Sequence, residues 1–212
     1  MSPDELPEAS ERLNQLLAAA GHESLQDEQN KQVNQYLALI LRWNARTNLT
    51  AVRNVEDILS RHFVESIAAA RALPAGIATL LDFGSGAGFP GIPIAICRPQ
   101  IGVTLAESQG KKAAFLREAV RSLGLKTAVH SARAETLTEK FDCVTLRAVD
   151  RMEAAISAAT GLVHPGGWLA LLTTQADLLA LQSIAGPSFT WTPPVPLPGS
   201  SQRILSLGQS TA

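Results

Sequence analysis

Apolar positions along this 212-residue chain change their rhythm at about residue 79. Before that point they recur every three or four residues. Val33, Tyr36, Leu37, Ile40 and Leu41 fall at i, i+3, i+4, i+7 and i+8, one apolar face of an amphipathic helix. The spacing predicts a helix over about 27–44, stopping where Asn44-Ala-Arg-Thr-Asn-Leu-Thr50 brings in residues that favour caps and turns. Ile58, Leu59, Phe63, Ile67 and Ala70 predict another helix over about 55–73, ended by Pro74 and Gly76. A short helix over about 8–20, with acids in its first turns and Gly21 at its end, precedes both.

From Thr79 onward short apolar runs alternate with helical ones. Strands are predicted over 79–83, 102–107, 126–131, 141–146 and 168–173, with helices opening at Pro90 and spanning about 111–123 and 151–162. Such alternation predicts an α/β fold with a mostly parallel, doubly wound sheet and helices on both faces. After a further segment over 175–184, Phe189–Thr192, a Pro-rich turn and Arg203–Leu207 read as an antiparallel hairpin at a sheet edge. The expected organisation is a helical extension over 1–76 and an α/β domain over 77–212, joined in one compact unit.

Composition narrows the function classes. The hydrophobic fraction of 46% is that of a globular chain. The N-terminal residues lack the basic and apolar regions of a signal peptide, and no run reaches the roughly 18 apolar residues of a membrane span. The expectation is therefore a cytoplasmic, monomeric protein with no membrane partner. Cys97 and Cys143 lie far apart, without ligand-spaced neighbours, so they read as reduced core thiols, and no metal is expected. A net charge of −1 argues at first against a nucleic-acid partner. Its distribution reverses that argument. Residues 1–30 carry Arg12 against seven acids, a balance of −6, while the remaining 17 basic and 12 acidic residues balance at +5.

The strongest local signal is Leu80-Leu81-Asp82-Phe83-Gly84-Ser85-Gly86-Ala87-Gly88-Phe89-Pro90-Gly91. Glycines at the carboxyl end of a first strand let the backbone turn sharply beside a ligand, and in a doubly wound sheet that place is the ligand crevice. Gly86-x-Gly88-x-x-Gly91 also spells the dinucleotide fingerprint, with Glu107 about 20 residues on. Asp82, however, would repel a pyrophosphate there. An acid–x–Gly–x–Gly–x–Gly turn suits a cationic, phosphate-free ligand, and Glu107 at the second strand end can accept from both hydroxyls of a ribose.

Asp82-x-Gly-x-Gly-x-Gly with Glu107 resembles the first two motifs of class I S-adenosylmethionine-dependent methyltransferases. Six separated segments sharpen the likeness: Arg42-Trp43-Asn44 with Asn48–Val52, Arg61–Ser66, Gly86–Pro93, Glu107–Leu116, Arg133–Glu135 and Thr145–Val149. Together they resemble the RsmG (GidB) family, which methylates nitrogen 7 of a guanine in the 530 loop of 16S rRNA. The resemblance covers about residues 33–168 and implies a Rossmann-like methyltransferase sheet, S-adenosylmethionine as cofactor, and 16S rRNA or the small ribosomal subunit as partner. It implies that Gly84, Gly86, Gly88 and Phe89 line the cofactor, with Asp82 beneath the turn. Glu107 then holds the ribose, Ala134 and Glu135 flank the adenine, and Arg147 stands between cofactor and target base. Asn48, Thr50, His62 and Ser66 lie near the pocket mouth, with Lys111 and Lys112 among the residues facing RNA, and His62 joins Arg147 as a positioning candidate. Read alone, His62 is as well explained as a partly buried helix histidine, the basic residues as a solvated face, and Trp43 as packing. The chain departs from the family pattern at Thr173-Thr174 and at its uncharged end, so family substrate contacts there do not carry over. A nicotinamide-dependent oxidoreductase and a non-catalytic nucleotide- or RNA-binding module are the alternatives.

Overall fold

The computed structural model describes residues 6–211. Asp4 and Glu5 of the acidic arm lie outside the described residues. Four helices lead. α1 spans Leu6–Ala19 and α2 Asp27–Asn44, where Asp27 and Glu28 in the first turn suit the positive end of the helix dipole. α3, Val55–Ile58, starts under the Asn54 side chain, which accepts from the Glu56 and Asp57 amides. α4 spans Glu65–Ala72. Between α3 and α4 the chain does not keep α geometry, as the apolar spacing predicts, but winds as a π-turn over Leu59–Val64. Such insertions concentrate at functional sites. Here Leu59, Phe63 and Val64 stay buried while the adjoining His62 borders a cavity.

The sheet runs β3-β2-β1-β4-β5-β8-β6, with β7 beside β8. Its members are β1 Thr79–Phe83, β2 Gly102–Ala106, β3 Ala128–His130, β4 Phe141–Arg147, β5 Val163–Thr174, β6 Phe189–Trp191, β7 Val195–Pro196 and β8 Arg203–Ser210. β1 to β5 are parallel neighbours; β8 is antiparallel to β5, β6 and β7. Helices α5 Gly91–Cys97, α6 Gly110–Ser122, α7 Met152–Thr160 and α8 Leu178–Ala185 connect the strands.

The C-terminal hairpin closes one edge of the sheet, as expected, with β6 outermost and β8 inside it, between β5 and β6; Ile204, Leu205, Ser206 and Leu207 are all buried. A strand covered on both faces loses the alternation that marks a half-exposed one. β5 starts at Val163 rather than Trp168, because His164–Gly167 form an irregularity in its pairing with β4.

The order reverses between β1 and β4, since the chain builds outward through β2 and β3 and then returns. Ligands in such sheets bind outside the carboxyl strand ends at that point. The leading helices cover one side of it. Tyr36 of α2 packs its ring 5.4 Å from Phe63, 5.2 Å from Phe89 and 6.4 Å from Phe115, so one apolar core joins them to α5, α6 and β2.

Candidate functional site

A cavity of about 610 Å³ opens at the carboxyl ends of β1, β2 and β4, within the range of small-molecule sites. Its wall combines the turn after β1, the segment after β2, residues 132–135, the loop after β4, Leu49–Ala51 and His62.

The turn is held from behind. Asp82, 1% exposed, accepts from the Gly91 amide at 3.2 Å and from Thr145 Oγ1 at 2.9 Å, tying β1 to the start of α5 and to β4. Ser85 Oγ donates to the Asp82 carbonyl at 2.9 Å. A Cβ on Gly91 would lie 2.6 Å from Asp82 Oδ2. Burial raises the Asp82 carboxyl to about 6, against the hydrogen bonds from Thr145, Ser85 and Gly91 that favour its charged form. Tyr36 Oη donates to the Ala87 carbonyl at 2.5 Å. Gly88 adopts φ +92°, where a Cβ would meet Tyr36 Oη at 2.7 Å and Ile92 Cδ1 at 2.6 Å, so this position needs glycine.

Glu107 follows β2. Its two oxygens accept from the Gly86 amide at 2.9 Å and the Gln109 amide at 2.7 Å. Those bonds fix the carboxylate against the glycine turn, and each oxygen keeps a lone pair for a further donor.

On the opposite wall Arg147, the last residue of β4, meets the π-turn. Its Nη2 donates to the Arg61 carbonyl at 2.8 Å, to His62 Nδ1 at 3.0 Å and to Glu65 Oε2 at 3.2 Å. Glu65, 1% exposed, also pairs with Arg203 Nε of β8 at 2.5 Å. Burial pushes the Glu65 carboxyl up, and the two guanidiniums oppose that rise. Burial, helped by Arg147 and Arg61, lowers His62 to about 3, so its imidazole is neutral at physiological pH. Past β4, Ala148 and Arg151 hold φ of +49° and +54°, a left-handed backbone strained for side-chain-bearing residues and found on functional loops.

Several of the residues singled out in the sequence share this wall: Gly84, Gly86, Phe89, Glu107, Ala134, Glu135, Arg147, Thr50, His62 and Lys112. Asp82 and Gly88 stand behind it. Ser66 is fully buried and its hydroxyl has no partner among the described residues. Asn48 is exposed off the wall and accepts from Arg53, and Lys111 is exposed on the neighbouring face of α6. Lys112, Arg133, Arg147 and Arg151 are the wall's cations. Arg42 is not free for a ligand, since it pairs with Glu118, which also accepts from the Trp43 indole at 3.0 Å. Trp43 packs edge-on against Phe115.

Five contributors carry no role in the sequence reading: Tyr36, Asn44, Glu65, Thr145 and Arg203. Asn44 ends α2, and its Oδ1 accepts from the Leu49 and Thr50 amides at 3.1 and 3.3 Å while its Nδ2 donates to the Val52 carbonyl at 3.3 Å. It folds the loop that presents Thr50. Asn44, Glu65 and Thr145 lie inside the conspicuous segments Arg42–Asn44, Arg61–Ser66 and Thr145–Val149, the only signal that points to them; Tyr36 and Arg203 have none.

A doubly wound sheet with its crevice between a glycine turn and a strand-end acid defines the fold, and solved structures of methyltransferases share it. One from Pyrococcus furiosus superposes with a TM-score of 0.61 at 12% identity over 84% of this chain and 98% of that one. A SAM-dependent methyltransferase from Aquifex aeolicus gives 0.57 at 16% identity, over 73% and 93%. The chain belongs to the rRNA small subunit methyltransferase G (GidB) family, whose model matches residues 29–183. Ribosomal RNA small subunit methyltransferase G of Xanthomonas euvesicatoria pv. vesicatoria is 49% identical over 137 residues, and that of Stenotrophomonas maltophilia 47%. In both cases the match covers 63% of this chain and 64% of the relative, so the chain spans just under two thirds of these relatives' length.

Proposed function

We propose that this protein transfers a methyl group from S-adenosylmethionine to nitrogen 7 of a guanine in the 530 loop of 16S rRNA. The observation that carries the reading is Glu107, fixed by two backbone amides against the glycine turn at the sheet's reversal point. Its remaining lone pairs suit a ribose diol, and no basic side chain stands in the turn as a phosphate partner would. Gly84, Gly86 and Phe89 line the methionine and adenosine side, and Ala134 and Glu135 border the adenine. When bound, S-adenosylmethionine supplies an electrophilic methyl on a cationic sulfur.

The chain's own residues then have to align and shield rather than to move protons. Guanine nitrogen 7 carries a lone pair and no proton, so no general base is required, and in-line positioning supplies much of the rate. His62, neutral and committed on both ring nitrogens, is a positioning group and not a proton donor. Lys112, Arg133 and Arg151 at the cavity suit phosphates flanking the target base. The partner is 16S rRNA or the small ribosomal subunit, and the compartment is the cytoplasm. No helix among the described residues is long and apolar enough to cross a membrane. Residues 1–76 serve as a helical extension of the methyltransferase domain at 77–212, and the protein acts as a monomer. A hydride-transfer reading gains nothing from Tyr36, the chain's one tyrosine, which is fully buried with its hydroxyl committed to Ala87.

Calorimetry tests the cofactor assignment. S-adenosylmethionine binds the wild type, and Gly84→Asp abolishes binding, because position 84 has φ +74° and a Cβ there already lies 3.1 Å from Val149. Tight NADH binding in place of S-adenosylmethionine overturns it.

A further inference from the structure

The hydrogen bonds around His62 have only one consistent direction. Arg147 can donate and never accept, so its 3.0 Å contact makes His62 Nδ1 the acceptor. The ring proton of the neutral imidazole therefore sits on Nε2, 3.0 Å from Thr50 Oγ1. The Val52 amide donates to the same oxygen at 3.1 Å. A hydroxyl has two lone pairs and one proton, and here both lone pairs are occupied. Thr50 is left as a pure donor on the cavity wall, with no acceptor for its proton among the described residues. The loop that carries it is clamped by the buried Asn44 carboxamide, so the donor is fixed rather than free to swing. The low pKa of His62 agrees with this direction, since a protonated ring would present a second N–H to the Arg147 guanidinium.

A fixed donor recognises an acceptor. We infer that Thr50 reads the O6 atom of the target guanine, and so selects guanine at the reacting position; this rests on the proposed guanine N7 methylation. The edge of guanine that carries nitrogen 7 presents two acceptors, N7 and O6. The N7 lone pair must stay free to take the methyl group, which leaves O6, beside it, for the donor. Adenine offers the N7 acceptor but places an amino group where guanine has O6, so the Thr50 hydroxyl would face a donor instead. Arg147 sets this polarity through His62 without touching the base and is a positioning residue in this respect.

The test is a cycle between one side chain and one base atom, in which effects unrelated to their contact cancel. Synthetic 530-loop RNA assembled into small subunits carries either guanine or 2-aminopurine, which lacks O6, at the target. For the wild type, removal of O6 lowers kcat/KM by roughly 10- to 100-fold beyond the intrinsic loss of nucleophilicity, as a site built to donate does when its acceptor is missing. Thr50→Val lowers kcat/KM on guanine by a similar factor, and Thr50→Ser restores both rate and base preference. With valine in place, the two bases differ only by their intrinsic reactivity. A Thr50→Val enzyme that keeps the full wild-type preference overturns the inference. So does one that loses cofactor affinity while base preference stays intact, which would make the cofactor the hydroxyl's partner. A wild type that methylates neither RNA refutes the guanine reading itself, and is recognisably a different result.

Discussion

Replacing Asp82 by Asn isolates the energetic consequence of burying a carboxylate under the glycine turn. The carboxyl ordinarily titrates near 3.8 and is raised to about 6 in the folded protein, mainly by loss of water. Folding thus favours its protonated form. The associated stability is fully present below about pH 4 and is lost as pH rises through about 6. The separation of the two values corresponds to about 3 kcal/mol. Asparagine fits the same bonds: its oxygen accepts from the Gly91 amide, its amide donates to Thr145 Oγ1, and the Thr145 proton turns to the Leu81 carbonyl 3.4 Å away. Urea unfolding of wild type and Asp82→Asn, compared at each pH, cancels every other titrating group. The variant matches the wild type near pH 4 and exceeds it by about 3 kcal/mol at pH 7. A difference that stays constant from pH 4 to 7, or that shrinks as pH rises, refutes the reasoning.

Gly88→Ala meets both a left-handed backbone and atoms at 2.6 and 2.7 Å, and destabilises by about 3 kcal/mol in thermal or chemical unfolding. A loss below about 1 kcal/mol contradicts the packing described. Glu65→Gln leaves Arg147 and Arg203, whose side chains are only 15% and 25% exposed, facing an uncharged amide. Urea unfolding is expected to record a loss of about 3 kcal/mol. A variant as stable as the wild type shows that the cluster is not held by charge.

What the sequence discloses here is local. β1, the glycine turn and Glu107 are legible because strand, turn and acid occur within about thirty consecutive residues, and their chemistry follows from that adjacency. The strand–helix alternation discloses the parallel sheet for the same reason. Contacts closed by the fold are not legible. Arg147 reaches Glu65 across 82 positions and Thr145 reaches Asp82 across 63, and no spacing rule joins such pairs. The π-turn hides because Ile58, Leu59 and Phe63 fit α-helical spacing as well as they fit the observed winding. The hairpin at the sheet edge is legible, but the continuous burial of β8 within it is not, because it comes from elements on both faces that only the assembled sheet supplies. Lys111 and Lys112 look equivalent in a row, yet successive helical residues point about 100° apart, and only Lys112 faces the cavity. Asn44 reads as a helix stop, which it is, while its carboxamide goes to the loop that carries Thr50.

Transfer of a labelled methyl group is the most direct test of the central claim. Purified protein is incubated with methyl-tritiated S-adenosylmethionine and small ribosomal subunits from a strain whose gene for this protein is deleted, and the modified base is mapped by reverse transcription after N7-specific cleavage. The predicted result is one labelled guanine in the 530 loop of 16S rRNA, absent when Gly84→Asp replaces the wild type. Label at another base or another atom, or no transfer to subunits that lack the modification, contradicts it.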